Sequence, residues 1–341
     1  MESQVVMVGV DTHKDGHSAA AVDGLGGVIA AIDIGADRQG YAQLLRWARC
    51  RGSERRWVVE GTGSYGAGLT SFLTENGEVV FEGDRPQRRK HDAAGKSDQL
   101  DAIKVAREAL ARAHHAIPRQ RGKREAIRVL LTSRQSAVSA YRQGLNQLYA
   151  LVVTAPTPLH ERLIQLKGER LVVACSRLRP GGELETRITG TTMRQIARRL
   201  QNLQEEADGY ERQLAELVAE VAPVLLAESG VGPITGAQML VSWSHAGRIR
   251  DENAFAAMAG VAPIKASSGR VVRHRLNRFG DRQLNRALHT VALCRSISHP
   301  ETKAYIARRT AEGKSTREIR RCLKRYLARR FFRLLQGLDR P

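Results

Sequence analysis

The stretch "KSDQLDA" at residues 96–102 places two carboxylates, Asp98 and Asp101, three residues apart at the head of the run "IKVAREALARA". On a helix that spacing puts both on one face, one turn apart. Two more carboxylates close apolar runs: Asp11 ends "VVMVGVD" and Glu60 ends "RWVVE". Four such groups in one cleft repel one another unless cations neutralise them. Hard oxygen ligands select Mg²⁺ or Mn²⁺. Two such ions can clamp the attacking and leaving oxygens of a phosphodiester. Singly, each residue has a plainer reading. Asp98 serves equally well as a helix N-cap, and Asp15, Asp23 and Asp33 read as turn or solvent residues. The signal is the set and its order: strand Asp, strand Glu, then a helical D-x-x-D.

The elements that must position these groups are legible at the head of the chain. "VVMVGVD", "SAAAVDG" and "VIAAIDI" are short β-rich runs joined by glycine turns, a three-stranded meander. "GYAQLLRWARC" has helical spacing, and "RWVVEGTG" is a buried strand stopped by glycines. "AGLTSFLTENG" reads as a helix ending at Gly77 and "EVVFEG" as a further strand, before the helix of Asp98. The order β-β-β-α-β-α-β-α is compatible with a ribonuclease H-like fold. There the first and fourth strands are neighbours and the last helix packs beside them, which would bring all four carboxylates into one cleft.

The middle of the chain reads as helical. From Met193, apolar residues at 196, 200, 203, 207, 210, 214, 217 and 221 alternate steps of three and four, a coiled-coil seam. Val138, Tyr141, Leu145, Leu148 and Val152 repeat the alternation, with Arg134 interrupting it upstream. Two helices packing back on each other within one chain and a seam between protomers both fit. "APTPLH" and "RLRPGGELETRITG" between them read as turns. From about residue 224 a compact helical unit is expected. "ESGVGPITGAQML" should open a helix at Pro233, like the turn of a helix-hairpin-helix module, where backbone N–H groups can meet a phosphate; a plain helix cap fits as well.

Charge separates the ends of the chain. The whole carries a formal +20. Residues 1–100 hold 12 Lys and Arg against 14 Asp and Glu, whereas residues 264–341 hold 21 against 5. Solubility does not require such concentration, and a polyanion, most simply nucleic acid, is the partner it fits. The four cysteines, Cys50, Cys175, Cys294 and Cys322, have neither metal nor disulfide spacing. They read as buried thiols of a reducing, cytoplasmic compartment. No apolar run nears the roughly 20 residues of a membrane span, and the N-terminus does not read as a signal peptide.

With "VGVDTHKD", "VVEGTGSYG", "GKSDQLDA" and, far downstream, "AGVAPIKASSGR", the chain resembles the insertion-sequence transposases of the IS-one-ten family over nearly its whole length. The resemblance implies a RuvC-like Asp-Glu-Asp-Asp domain at the N-terminus and a mostly α C-terminal serine transposase domain; with the helical coiled-coil region read from the periodicity, the expected division is 1–120, 121–223 and 224–341. It implies a metal-binding tetrad of Asp11, Glu60, Asp98 and Asp101, with Mg²⁺ or Mn²⁺. It also implies a serine nucleophile. In the family the serine directly precedes the glycine, which selects Ser268 over its neighbour Ser267; turn chemistry alone would make both loop residues. Arg270, Arg273, Arg275, Arg278 and Arg282 would meet nucleic acid. Donor and target DNA, a structured guide RNA and further copies of the chain, a dimer to tetramer, are the implied partners, in a bacterial cytoplasm.

Other functions stay open on sequence alone. A junction resolvase or nuclease of the same fold would use water and need neither the serine nor so basic a tail. A non-catalytic nucleic-acid-binding protein would not need the tetrad. An actin-like ATPase or sugar kinase would need a second glycine-rich phosphate loop, which is not found.

Overall fold

In the computed structural model the described residues are 5–83, 98–112, 115–119, 121–265, 274–275, 277 and 279–338. They fall into two compact units. The first comprises Met1–Gln120 with Ser244–Asp251, the second Arg121–Trp243 with Glu252–Pro341. The regions expected at 121–223 and from 224 thus share one set of contacts and are described together.

The first unit follows the expected order of elements. It runs β1 (Val6–Thr12), β2 (Gly16–Val22), β3 (Val28–Gly35), α1 (Arg38–Arg49), β4 (Arg55–Glu60), α2 (Ala67–Glu75), β5 (Val79–Gly83) and α3 (Asp98–Leu110). The sheet order is β3-β2-β1-β4-β5. The first three strands are antiparallel, and β1, β4 and β5 are parallel. This is a mixed sheet of ribonuclease H-like order, with the first and fourth strands adjacent. β1 is central and covered on both faces, so it reads as a continuous apolar run rather than an alternation. Val6, Val8 and Val10 join Leu44, Leu45, Leu69 and Leu73 of α1 and α2 in one core, while Met7 packs with Val105, Ala106 and Ala109 of α3 in another. α1 starts where Asp37 accepts from the Gly40 N–H at 2.8 Å, and Arg46 and Arg49 in its last turn oppose the helix dipole. α2 stops as expected at Gly77, whose φ of +77° suits a helix end. Segment 244–251 belongs to this unit: His245 Nε2 lies 3.4 Å from Glu82 Oε2 of β5. The imidazole holds the Glu82 carboxyl below the usual carboxylate range, against the opposing effect of burial.

The second unit is mostly helical. Its elements are α4 (Lys123–Val153), α5 (Thr157–Leu163), α6 (Gly168–Ser176), α7 (Leu184–Val221), α8 (Pro223–Leu226), α9 (Pro233–Trp243), α10 (Glu252–Met258), β6 (Ile264–Lys265), β7 (His274–Arg275), α11 (Arg282–Ser298), α12 (Pro300–Ala311) and α13 (Thr316–Gly337). α4 and α7 pack on each other within the chain. The Leu200 side chain of α7 packs against α4 at Gly144, where a Cβ would lie 2.7 Å from Leu200 Cδ2. Of the expected seam, Ile196, Leu200, Ala207 and Leu214 are buried; at its end Val218 is buried in place of Leu217 and Val221. Arg134, which interrupts the pattern of α4, makes an ion pair with Glu211 of α7 at 2.7 Å.

Three readings need correction. "TPLH" (157–160) of "APTPLH" is not a turn but the start of α5, because a proline in the first helical turn lacks only an N–H that has no partner there anyway. "LETRITG" (184–190) is helix rather than turn, because burial of Gly190 and Met193 outweighs the weak propensity of Thr, Ile and Gly. Of the thiols expected to be buried, only Cys175 is; Cys50 and Cys294 are exposed and Cys322 lies between. α9 does begin at Pro233. No helix among the described residues is long and apolar enough to cross a membrane.

Candidate active site

The carboxylates lie where strands β1 and β4 end. Asp11 is the sixth residue of β1 and only 8% exposed. The adjacent strand ends at Glu60, and the Thr12 hydroxyl donates to the Glu60 carbonyl at 2.8 Å, pinning the two strand ends together. Gly61 follows with φ +63°, a left-handed turn that takes the chain sharply out of β4. Asp98 and Asp101 occupy the first turn of α3, where carboxylates suit the helix dipole.

α3 reaches Asp11 because β1 carries Gly9 where the two elements touch. A Cβ on Gly9 would lie 2.3 Å from the Ala102 carbonyl oxygen and 2.6 Å from the Ala106 nitrogen. The head of α3 is also tethered to the sheet edge. Asp33 of β3 accepts from the Ser18 hydroxyl at 2.6 Å and from the Gln99 amide at 2.7 Å. Asp33 is exposed, as expected of a solvent residue, but both its oxygens are engaged in placing the residue next to Asp98.

These constraints bring Asp11 and Asp98 together, with His13 between them. His13 Nε2 is 3.1 Å from Asp11 Oδ2 and 3.7 Å from Asp98 Oδ1. One donor atom from each of the three residues lies within 4.8 Å of the other two. Glu60 and Asp101 are not in this group. Asp101 is instead paired with Lys104 at 3.0 Å, and Glu60 stands at the neighbouring strand end. The group opens onto a cleft of about 760 Å³ lined by His13, Lys14, Asp33, Tyr65, Asp98 and Gln99, among others. Two carboxylates and an imidazole, one carboxylate nearly buried, form a donor set that fits a divalent cation. Sequence reasoning did not single out His13, which lies one residue beyond the end of β1, where the turn into β2 brings its ring to Asp11.

In the second unit, β6 and β7 pair antiparallel, Ile264 with Arg275 and Lys265 with His274. Ser267, Ser268, Arg270 and Arg273 fall in the segment joining them, outside the described residues; Arg278, after β7, is also outside them. Arg275 is described only as a backbone position of β7; Arg282 is exposed at the start of α11. The base of this hairpin is tightly drawn. Gly260 and Gly280 have φ of +65° and +106°, and a Cβ on Gly280 would meet the Met258 carbonyl oxygen at 2.3 Å. The Asp281 N–H donates to the Met258 carbonyl at 2.7 Å, and the Asn285 amide donates to that of Ala259 at 2.7 Å. Lys324 of α13 donates to Asn285 Oδ1 at 2.9 Å. Asp281 also caps α11 through the N–H groups of Gln283 and Leu284. Its other oxygen accepts from the Ser242 hydroxyl at 2.5 Å, and the chain of hydrogen bonds runs on through Gln238 to Gln135 of α4.

Part of the basic tail is used internally. Arg295 and Arg330 both bind Glu228, and Arg329 and Arg333 both bind Glu252. Arg330 first, then Arg295, hold the Glu228 carboxyl below the usual carboxylate range against the effect of burial. Arg282, Arg286, Arg317, Arg320 and Arg321 are exposed.

Sequence comparison agrees with this layout. Residues 8–155 match a DEDD transposase profile of IS110 elements, and residues 222–307 match the profile described as "Transposase IS116/IS110/IS902 family". A DEDD domain implies divalent-metal chemistry, which the donor set above fits. The chain is 24% identical to the 44.8 kDa protein of insertion element IS116 from Streptomyces clavuligerus, over 90% of this chain and 89% of that one. It is 24% identical to the 42 kDa protein of insertion element IS900 from Mycobacterium paratuberculosis, over 92% and 91%. Two profiles of one family, matched in order, and relatives aligned almost end to end place the chain in the IS116/IS110/IS902 family: it is a DNA transposase.

Proposed function

We propose that this transposase excises and inserts DNA by a metal-assisted transesterification in which Ser268 is the nucleophile. The observation that carries the metal-assisted part is the convergence of Asp11 and Asp98 at the end of the central strand. Asp11, Glu60, Asp98 and Asp101 are the residues proposed to hold the cation. A divalent ion bound there, Mg²⁺ or Mn²⁺, would neutralise the carboxylates and polarise a non-bridging phosphate oxygen. The Ser268 oxygen then forms a bond to phosphorus while one bridging P–O bond breaks. The hydroxyl proton leaves, and the departing sugar oxygen takes one up. The phosphoserine link conserves the bond for rejoining.

Arg270, Arg273, Arg275, Arg278 and Arg282 are proposed to hold the phosphates of the DNA and of a structured guide RNA that selects it. Their segment flanks the serine, so they would also offset charge that builds on the attacked phosphate. The pairing of β6 with β7, the strands that bracket Ser268 in sequence, supports this reading. The active assembly is proposed to be a dimer to tetramer in the bacterial cytoplasm.

The experiment is a denaturing gel of labelled DNA incubated with Mg²⁺, guide RNA and each variant. Ser267→Ala should retain a covalent protein–DNA adduct and Ser268→Ala should lose it while still binding both nucleic acids. An adduct in the double variant would end the serine mechanism.

A further inference from the structure

We infer that His13 is a nitrogen ligand of the divalent ion, so that the site is a mixed nitrogen and oxygen centre rather than a set of carboxylates alone. The inference rests on the metal-dependent reading above and adds to it a residue and an ion preference. The geometry is that of neighbouring ligands. Two atoms at right angles around an ion, each bonded at about 2.1 Å, are about 3.0 Å apart, and opposite ones about 4.2 Å. His13 Nε2 stands 3.1 Å from Asp11 Oδ2 and 3.7 Å from Asp98 Oδ1, inside that range on both sides.

The ring is delivered there by the fold. His13 follows Asp11 by two residues, and its N–H donates to the Gly16 carbonyl at 3.0 Å, which fixes its backbone at the start of the β1–β2 turn. A Cβ on Gly16 would lie 3.0 Å from the Ile34 carbonyl oxygen, so the turn has little slack. The imidazole is 54% exposed at the cleft, and among the described residues it lies against the two carboxylates. The nearby His17 differs. Its ring is buried and stacked on Tyr41, and its Nδ1 lies 2.9 Å from the Gly16 carbonyl oxygen.

Imidazole binds borderline ions in preference to Mg²⁺, which takes oxygen ligands and keeps its waters. A site with His13 in it should therefore favour Mn²⁺ over Mg²⁺ by a wider margin than the carboxylates alone would give.

The test is pulsed electron paramagnetic resonance on the full chain loaded with Mn²⁺. The expected spectrum shows a ¹⁴N coupling that changes when the protein is made with ¹⁵N-histidine. His13→Gln should remove the coupling, weaken Mn²⁺ binding about tenfold, and weaken Mg²⁺ binding, read by competition, by less. Bound Mn²⁺ without a nitrogen coupling, in a protein whose Asp11→Asn variant no longer binds it, would overturn the role of His13 and leave the carboxylate site standing. A coupling that persists in His13→Gln would also overturn it. If Mn²⁺ does not bind even with Asp11 intact, the metal reading falls, and His13 with it.

Discussion

Gly9→Ala tests whether the contact between β1 and α3 sets the active site or merely fills space. The added Cβ would lie 2.3 Å from the Ala102 carbonyl oxygen, 2.6 Å from the Ala106 nitrogen and 2.8 Å from the Ala106 Cβ. Two of these atoms are backbone, so no rotamer change relieves them. Ordinary contact begins near 3.5 Å, and α3 must retreat by roughly 1 Å. Overpacking of this kind costs about 1–3 kcal/mol. The consequence for function is larger, because the strain falls between the two proposed ligands: Gly9 is two residues before Asp11, and Ala102 is one turn after Asp98. A displacement near 1 Å at a catalytic centre costs about 10²-fold in rate. The assay is Mn²⁺ affinity by electron paramagnetic resonance, with cleavage of a labelled duplex and a thermal melt on the same samples. Ala106→Gly added to Gly9→Ala should rescue little, since the contact with the Ala102 carbonyl remains. A Gly9→Ala protein that melts lower but binds Mn²⁺ and cleaves within twofold of the parent would refute the reasoning and leave Gly9 a packing residue only.

Two further outcomes concern the second unit. Asp281→Ala removes the cap of α11 and the acceptor for Ser242, which should cost about 1–2 kcal/mol and lower the melting temperature by about 2–4 °C per kcal/mol; an unchanged melt would show that the cap is not needed. Because Arg330 and Arg295 lower the Glu228 pKa, the pair stabilises the fold above the ordinary glutamate range and loses that contribution as pH falls through the lowered value. Glu228→Gln should therefore cost about 2 kcal/mol near neutral pH, with the gap to the parent closing in acid; denaturant titrations that keep the gap constant from pH 7 to pH 3 would contradict it.

The head of the chain was legible because its signals are local. The strands are short apolar runs, most of them with a glycine at or just after their end, and the sheet order is compatible with the order of elements. The same kind of signal misleads when long-range contact decides. "LETRITG" has weak helix formers at Thr186, Ile188, Thr189 and Gly190, and it is helical as the exposed first turns of α7, whose burial begins at Gly190 and Met193. The seam of α7 slips by one position at Val218, since periodicity reports that a face is buried but not which neighbour buries it. Arg134 looked like an interruption and is an ion pair across two helices, made with a residue 77 positions away.

The same limit governs the two features that bear most on the site. Sequence counts the charges of the tail but not their partners. The sharing of Glu228 and Glu252 by four arginines means that the surplus available to a polyanion is carried by other residues, such as Arg282, Arg286, Arg317, Arg320 and Arg321. These exposed positions, rather than the paired ones, are where neutralisation should flatten the salt dependence of binding. His13, in contrast, was within reach of sequence reasoning. It stands two places after Asp11, immediately beyond the end of β1. A histidine at that position in a carboxylate cluster is a ligand type in its own right. What the sequence does not show is the turn at Gly16, which brings the ring back to face the carboxylates.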